Sequence, residues 1–406
     1  MQEAAKAGKS ERVPWLDGMR GLAILLVLIR HLPEATRGAT PSAFDRPVAK
    51  VAESGWIGVD LFFVLSGMLI TGILLDTKGS AGYWPRFYAR RALRIFPLYF
   101  AFLAALLVLA PVLYASDTSG VSELRHGEAW FALFLANGWT AARHGANANI
   151  FGTGIVWSLS VEEQFYLLWP AIVLLLSRQR LATFCIALVV FATALRVVML
   201  GAGVNYLVVY EATPAHCDAL AIGALIAIAL RDEAWRQRLL AYAGPASIVL
   251  IVVLVVIGLD LRGLDFSQPG VLVLAVTPIA MLMASLVAQG FRGGIVARCA
   301  SVSWLRWLGR YSYAIYLIHL PIAYWLCREW RLPERLIAHG IPEFVADPIC
   351  WLTVGTIACA GGWVSWHAFE KHFLKLKRFV RYERMVEVAP DLRSLDAAPK
   401  RLPDAA

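Results

Sequence analysis

The sequence predicts an all-α polytopic membrane protein of about ten transmembrane helices, with the N- and C-termini cytoplasmic. Three observations carry this. Of the 406 residues, 59% are hydrophobic and 17% charged, whereas a soluble domain averages about 45–50% and about 25%. The apolar excess is gathered into runs of membrane-spanning length, at 15–33, 56–76, 95–115, 154–177, 181–200, 214–230, 239–258, 270–290, 311–328 and 347–370. With the N-terminus inside, most Lys and Arg fall in the pieces left on the cytoplasmic side, as the positive-inside rule requires.

Taken in order, 1–14 is a cytoplasmic tail carrying Lys6, Lys9 and Arg12. The run behind it is expected to be an uncleaved anchor, because no small-residue cleavage site follows. The short stretch Trp130 to Trp139 is too brief for a span. Counting it as one would also put Arg178, Arg180, Arg231, Arg236 and Arg238 outside, so it reads as a re-entrant or surface helix. The surrounding segment 116–153 is long, polar and Gly/Asn-rich (Asn137, Asn147, Asn149), and is expected to form an outward-facing lid. Residues 15–370 make one transmembrane domain. The basic tail 371–406 is expected to lie on the anionic inner leaflet and to become disordered after Pro390.

The net charge of +9 is explained by orientation and anionic lipid, so it does not imply nucleic acid. Six cysteines lie mostly in or beside apolar runs, with no metal-like CxxC spacing. Neither a metal site nor a disulfide framework is expected.

Arg20 and His31 share the first run. A charge and an imidazole in a segment built for lipid are costly and usually functional. On a helix they are separated by about 16 Å of rise, roughly half a bilayer core. His319 stands about 14 Å beyond Arg310 in a later run by the same reckoning. Both histidines precede Leu-Pro (Leu32-Pro33 and Leu320-Pro321), so each helix should bend or end soon after the ring. Glu162 and Asp60 fall at neighbouring depths. Four titratable groups on four helices therefore point to one shared polar cavity.

Each has a plainer reading. His319 also suits a helix–helix hydrogen bond, and Asp60 a salt bridge or helix N-terminal charge. Glu162 and Glu163 lie about 100° apart on a helix, so both cannot face one partner. A second cluster, Arg86, Arg90, Arg91 and Arg94, opens the third run. Arg91 and Arg94 share a helix face, and guanidinium forks suit phosphate, so a phosphorylated ligand is one reading and orientation charge the other.

At this point the chain resembles the membrane-bound acyltransferase-3 family. The strings that carry the resemblance are Leu16-Asp17-Gly18-Met19-Arg20-Gly21 running on to His31, and Gly58-Val59-Asp60-Leu61-Phe62-Phe63-Val64-Leu65-Ser66-Gly67. Next come Phe87-Tyr88-Ala89-Arg90-Arg91-Ala92-Leu93-Arg94-Ile95-Phe96-Pro97 and Trp157-Ser158-Leu159-Ser160-Val161-Glu162-Glu163-Gln164-Phe165-Tyr166. Ser312-Tyr313-Ala314-Ile315-Tyr316-Leu317-Ile318-His319-Leu320-Pro321 closes the set. The matches run in order over about 15–375. The resemblance implies O-acylation of a sugar-containing acceptor at the cell (inner) membrane, from cytoplasmic acyl-CoA, with acetyl the default and no permanently bound cofactor.

Carried over, Arg20 and His31 match the family's Arg-x10-His pair and Arg91 and Arg94 its Arg-x-x-Arg pair. Arg91 and Arg94, with Arg90, would hold the phosphates of the coenzyme. His31 would be general base, oriented by Glu162 or Asp60, with Arg20 or helix dipoles on the oxyanion. Ser66, Trp157, Ser158, Tyr166 and His319 would contact substrate, and an acyl-enzyme on His31 or Ser66 ranks behind direct transfer. The expected partners are acyl-CoA, a hydroxyl-bearing glycan, glycolipid or glycoside, and the bilayer. The chain departs from the family at His216, where many members carry arginine. Several members add a hydrolase-like domain after the last span. Here any downstream transfer is expected to need another protein. The alternative class is a proton-coupled transporter or flippase of a glycan or lipid intermediate, since mid-depth titratable groups also mark proton relays. The inverted repeats common in that class are not evident.

Overall fold

A computed structural model describes residues 13–36, 52–145 and 150–380. Among these residues the chain is helical, without strands. Long helices stand at the predicted runs: α1 (Pro14–Thr36), α2 (Ile57–Thr77), α3 (Tyr83–Leu113), α4 (Val156–Leu175) and α5 (Arg178–Gly201). They continue with α6 (Asp218–Ala229), α7 (Glu233–Asp260), α8 (Val276–Arg292), α9 (Ser303–Tyr324) and α10 (Glu343–Ser365).

By length and apolarity alone, five helical segments can cross a membrane: Ser54–Thr77, Tyr83–Leu113, Arg178–Gly201, Glu233–Asp260 and Glu343–Phe379. A sixth is added if α8 and the short helix Gly294–Ala300, bent by 97°, form one broken span. The bend falls at Gly293 and Gly294, whose φ of 80° and 78° other residues rarely adopt. Helices α1, α4 and α9 fall outside that set and are the ones that carry Arg20, His31, Glu162 and His319. Their apolarity is diluted by the groups the sequence marks as functional.

The core is built around two close helix pairs. α1 lies along α9, and α2 along α6. A Cβ placed on Gly21 would stand 1.9 Å from the Leu305 carbonyl oxygen, and one on Gly309 1.7 Å from that of Asp17. On the second seam, a Cβ on Gly67 would meet the Leu220 carbonyl at 2.0 Å, and one on Gly223 that of Val64 at 2.2 Å. Lipid tails are as apolar as leucine, so membrane helices gain by close van der Waals approach, and only glycine allows backbones this near. α10 packs on α9, α4 on α2, and α5 and α8 on α6. The most apolar windows of α5 and α7 are only 17% buried, which puts both at the periphery of the bundle.

A buried ion pair ties three of these helices. Arg196 of α5, 1% exposed, donates to Asp218 Oδ2 at 3.0 Å and to Thr277 Oγ1 of α8 at 2.6 Å. Thr277 donates in turn to Asp218 at 2.6 Å. The pair leaves neither charge facing hydrocarbon.

The segment expected as a lid is three short helices, Thr118–His126, Glu128–Ala132 and Ala136–Ala142. It packs inward: Phe131 and Trp139 are buried, and Phe134 stacks on Tyr99 at 4.3 Å. Asn137 donates to Thr213 Oγ1 at 2.8 Å. Asn147 and Asn149 lie outside the described residues, as do 1–12 and 381–406. The described part of the basic tail is docked rather than trailing. Arg90 donates to the Lys377 and Val380 carbonyls at 3.3 and 2.8 Å.

The α1–α9 seam is the testable constraint. Gly309→Leu is expected to cost about 3 kcal/mol through overpacking, seen as a lower melting temperature in detergent. Leu308→Ala one residue away, partly buried, should cost less.

Candidate active site

Two cavities lie inside the helix bundle. The first, about 130 Å³, is lined by Arg20 of α1, Ser66 of α2, Arg91 and Arg94 of α3, and Ser158, Glu162 and Tyr166 of α4. Helical spacing explains the convergence. Arg91 and Arg94 are one turn apart on one face of α3, and Ser158, Glu162 and Tyr166 recur every four residues on α4. Here Ser66 Oγ donates to Glu162 Oε1 at 2.6 Å, Arg20 donates to Asp17 at 3.2 Å, and the Arg91 guanidinium lies 5.6 Å from the Tyr166 ring centre.

The second cavity, about 390 Å³, is lined by His31 and Arg30 of α1, the rings of Trp56, Trp157, Tyr210 and Phe266, and the carboxylates of Glu211 and Asp265. Arg328 also borders it, its guanidinium 4.8 Å from the Tyr324 ring centre. Glu211, between α5 and α6, is 3% exposed, and burial pushes it up to about 8. Its Oε2 has no hydrogen-bond partner.

The cavities are neighbours with a common wall. Val59 of α2 and Tyr316 of α9 line both. The Tyr316 hydroxyl donates to the Ile155 carbonyl at 2.9 Å and shares a 2.6 Å hydrogen bond with Ser158 Oγ. The ring is thus pinned across the junction by the turn that starts α4.

This arrangement corrects the single shared cavity. His31 lines one cavity and Glu162 the other. Asp60, 0% exposed, lines neither: its Oδ1 pairs with His216 Nε2 at 3.2 Å, and His216 Nδ1 donates to the Tyr210 carbonyl at 2.8 Å. His216 therefore serves as the buried partner of Asp60. His319 is also fully buried and lines neither cavity. Its Nδ1 donates to the Tyr316 and Ile315 carbonyls at 2.7 and 3.1 Å, leaving Nε2 without a protein partner. Its ring centre is 5.3 Å from that of His31, whose Nδ1 also has no partner. So the group beside His31 is His319, and neither Glu162 nor Asp60 orients it. Arg20 stands with the arginine pair, and Arg90 holds the tail instead of lining a cavity.

Sequence reasoning missed Tyr316, Tyr210, Glu211, Arg328 and the Arg196–Asp218 pair. A charge at Arg196, inside an apolar run, was a readable signal. The aromatic residues were not, because aromatics abound in any membrane core. Among the described residues no group of His, Cys, Asp and Glu could hold a metal ion.

Comparison with known proteins places the chain in a family. A family model described as an acyltransferase domain matches residues 13–367. The chain is 28% identical to "Putative peptidoglycan O-acetyltransferase YrhL" of Bacillus subtilis, over 92% of this chain and 56% of that protein. It is 28% identical to "Peptidoglycan O-acetyltransferase OatA" of Listeria monocytogenes, over 76% of this chain and 49% of that protein. A "Putative O-acetyltransferase" of Staphylococcus aureus is 23% identical over 78% of this chain and 52% of its own length. The chain thus spans about half the length of the curated relatives it matches. No solved structure matches it significantly. With a family model covering nearly all of the helices that build both cavities, the chain belongs to the acyltransferase-3 family.

Proposed function

We propose that this chain is an integral-membrane O-acetyltransferase that moves an acetyl group from cytoplasmic acyl-CoA to a glycan hydroxyl. The observation that carries the reading is the pair of adjoining cavities, one bearing three arginines and the other bearing His31. In this reading the chain crosses the membrane ten times with both ends in the cytoplasm, so Arg91 and Arg94 near the start of α3 sit at the inner face. The phosphates of the coenzyme bind there, as guanidinium forks favour. The cavity there measures about 130 Å³. It suits a short acyl group on the end of a pantetheine arm.

The acceptor occupies the larger cavity, whose volume lies in the usual range of about 300–1,000 Å³ for small-molecule sites. Its rings offer flat apolar faces to a sugar, and its carboxylates and guanidinia offer partners to hydroxyls. The relatives' names include peptidoglycan O-acetyltransferases, which supports a glycan as acceptor. His31 takes the proton from the attacking hydroxyl as general base, with His319 supplying the neighbouring lone pair that a protonated His31 needs.

The assay is purified protein with acetyl-CoA and a muropeptide, following free CoA and the mass of the glycan. His31→Ala is expected to slow transfer by about 10²–10⁴-fold with unchanged elution in detergent. Full activity in that variant would rule out the base. Arg91→Ala and Arg94→Ala should each raise KM for acetyl-CoA roughly tenfold or more, the worth of a charge-assisted hydrogen bond, with kcat less affected. Tyr316→Ala opens the wall between the cavities, so CoA release without any acceptor should rise, measured as thiol production from acetyl-CoA alone.

A further inference from the structure

We infer that Ser66 is the first acceptor of the acyl group and that Glu162 is its base. The inference rests on the acyltransferase reading above and adds a covalent step to it. Three observations lead there. His31 lines the neighbouring cavity and not the arginine cavity, so no imidazole lines the space in which Arg91 and Arg94 would hold a thioester. A hydroxyl does. Ser66 Oγ lines that cavity and donates to Glu162 Oε1 at 2.6 Å. A nucleophile in hydrogen-bond reach of a base is the arrangement covalent catalysis requires. The hydroxyl is also held in place, because the next residue, Gly67, is pressed on the α6 backbone at Leu220. That contact fixes the rotation of α2 and turns Ser66 toward α4.

The chemistry balances without any further reactant. Ser66 Oγ attacks the thioester carbonyl while its proton passes to Glu162, and Arg20 on the same wall faces the developing oxyanion. The C–S bond breaks, the thiolate takes the proton from Glu162, and free CoA leaves with the acyl group held as a Ser66 ester. When Tyr316 swings aside, the acceptor hydroxyl attacks that ester and gives its proton to His31. The bond from carbonyl to Ser66 Oγ breaks, and the proton on His31 returns to Ser66 through solvent. Each base thus serves one half-reaction, on its own side of the wall. This assigns separate work to two groups that single-step transfer would need in one place.

The test is the purified full chain with acetyl-CoA and no acceptor, quenched and digested for peptide mass spectrometry. The expected result is an acetyl group on the peptide holding Ser66, with an equal amount of CoA released. Ser66→Ala should lose the adduct and slow transfer to a muropeptide by at least about a hundredfold, while still binding CoA. Ser66→Cys should retain an adduct that neutral hydroxylamine removes, which separates lost chemistry from lost folding. Glu162→Gln should slow adduct formation by about 10²–10⁴-fold. An adduct on His31, or wild-type transfer by Ser66→Ala, would overturn the relay and leave the acetyltransferase reading standing. A wild-type protein that transfers no acetyl to the muropeptide and gains none itself would remove both.

Discussion

Everything in the site hangs on how closely α1 approaches α9. In a bilayer the only gain from bringing two apolar helices together is contact itself, so approach distance sets the strength of the seam. Gly21 and Gly309 let the two backbones touch, at Leu305 and Asp17. Once they touch, the rest of both helices is placed by pitch alone. Arg20, beside Gly21, is carried to the arginine cavity. Three turns further on, His31 meets His319, and Tyr316 falls between the two levels at the wall. A bulkier residue at the seam would move all four groups together.

The second seam works the same way on the other half of the site. Gly67 and Gly223 seat α2 on α6, which turns Ser66 toward Glu162 and Asp60 toward His216. The motif strings are therefore mixtures. In Gly58 to Gly67, the serine lines the arginine cavity, the aspartate is half of a buried pair, and the terminal glycine is the contact that orients both. Arg196 and Asp218 add a further lock on α6. Buried pairs of this kind do little for net stability, but breaking one strands a charge in a dry interior. They are better understood as fixing which helix faces which.

The wall between the cavities bears on mechanism. The two substrates proposed, coenzyme A and a glycan, differ in size, charge and compartment, and a continuous channel would expose the thioester to water from the acceptor side. A tyrosine held by a backbone carbonyl and a serine hydroxyl stands between the two cavities, where the proposed transfer would have the acyl group pass. Water exclusion at a reactive intermediate is a general reason for closing a site before the second substrate arrives.

Some of this was legible in the residues alone. The apolar runs, the cost of burying Arg20 and His31, and the paired spacing of Arg91 with Arg94 follow from hydropathy and helical pitch, which are local properties. They placed the long helices and marked Arg20, Arg91, Arg94 and Glu162, while the family resemblance added Ser66, Ser158 and Tyr166; all seven line one cavity. Depth along a helix is also local, and it put His31, His319, Asp60 and Glu162 at similar levels. What depth cannot supply is azimuth, the direction each side chain faces around its helix. That is decided by which helices touch and at what rotation, a matter of glycine contacts between segments hundreds of residues apart. Tertiary packing alone sent Asp60 to His216, set His319 behind His31, drew Arg90 to the tail, and raised Tyr316 as a partition between two chambers.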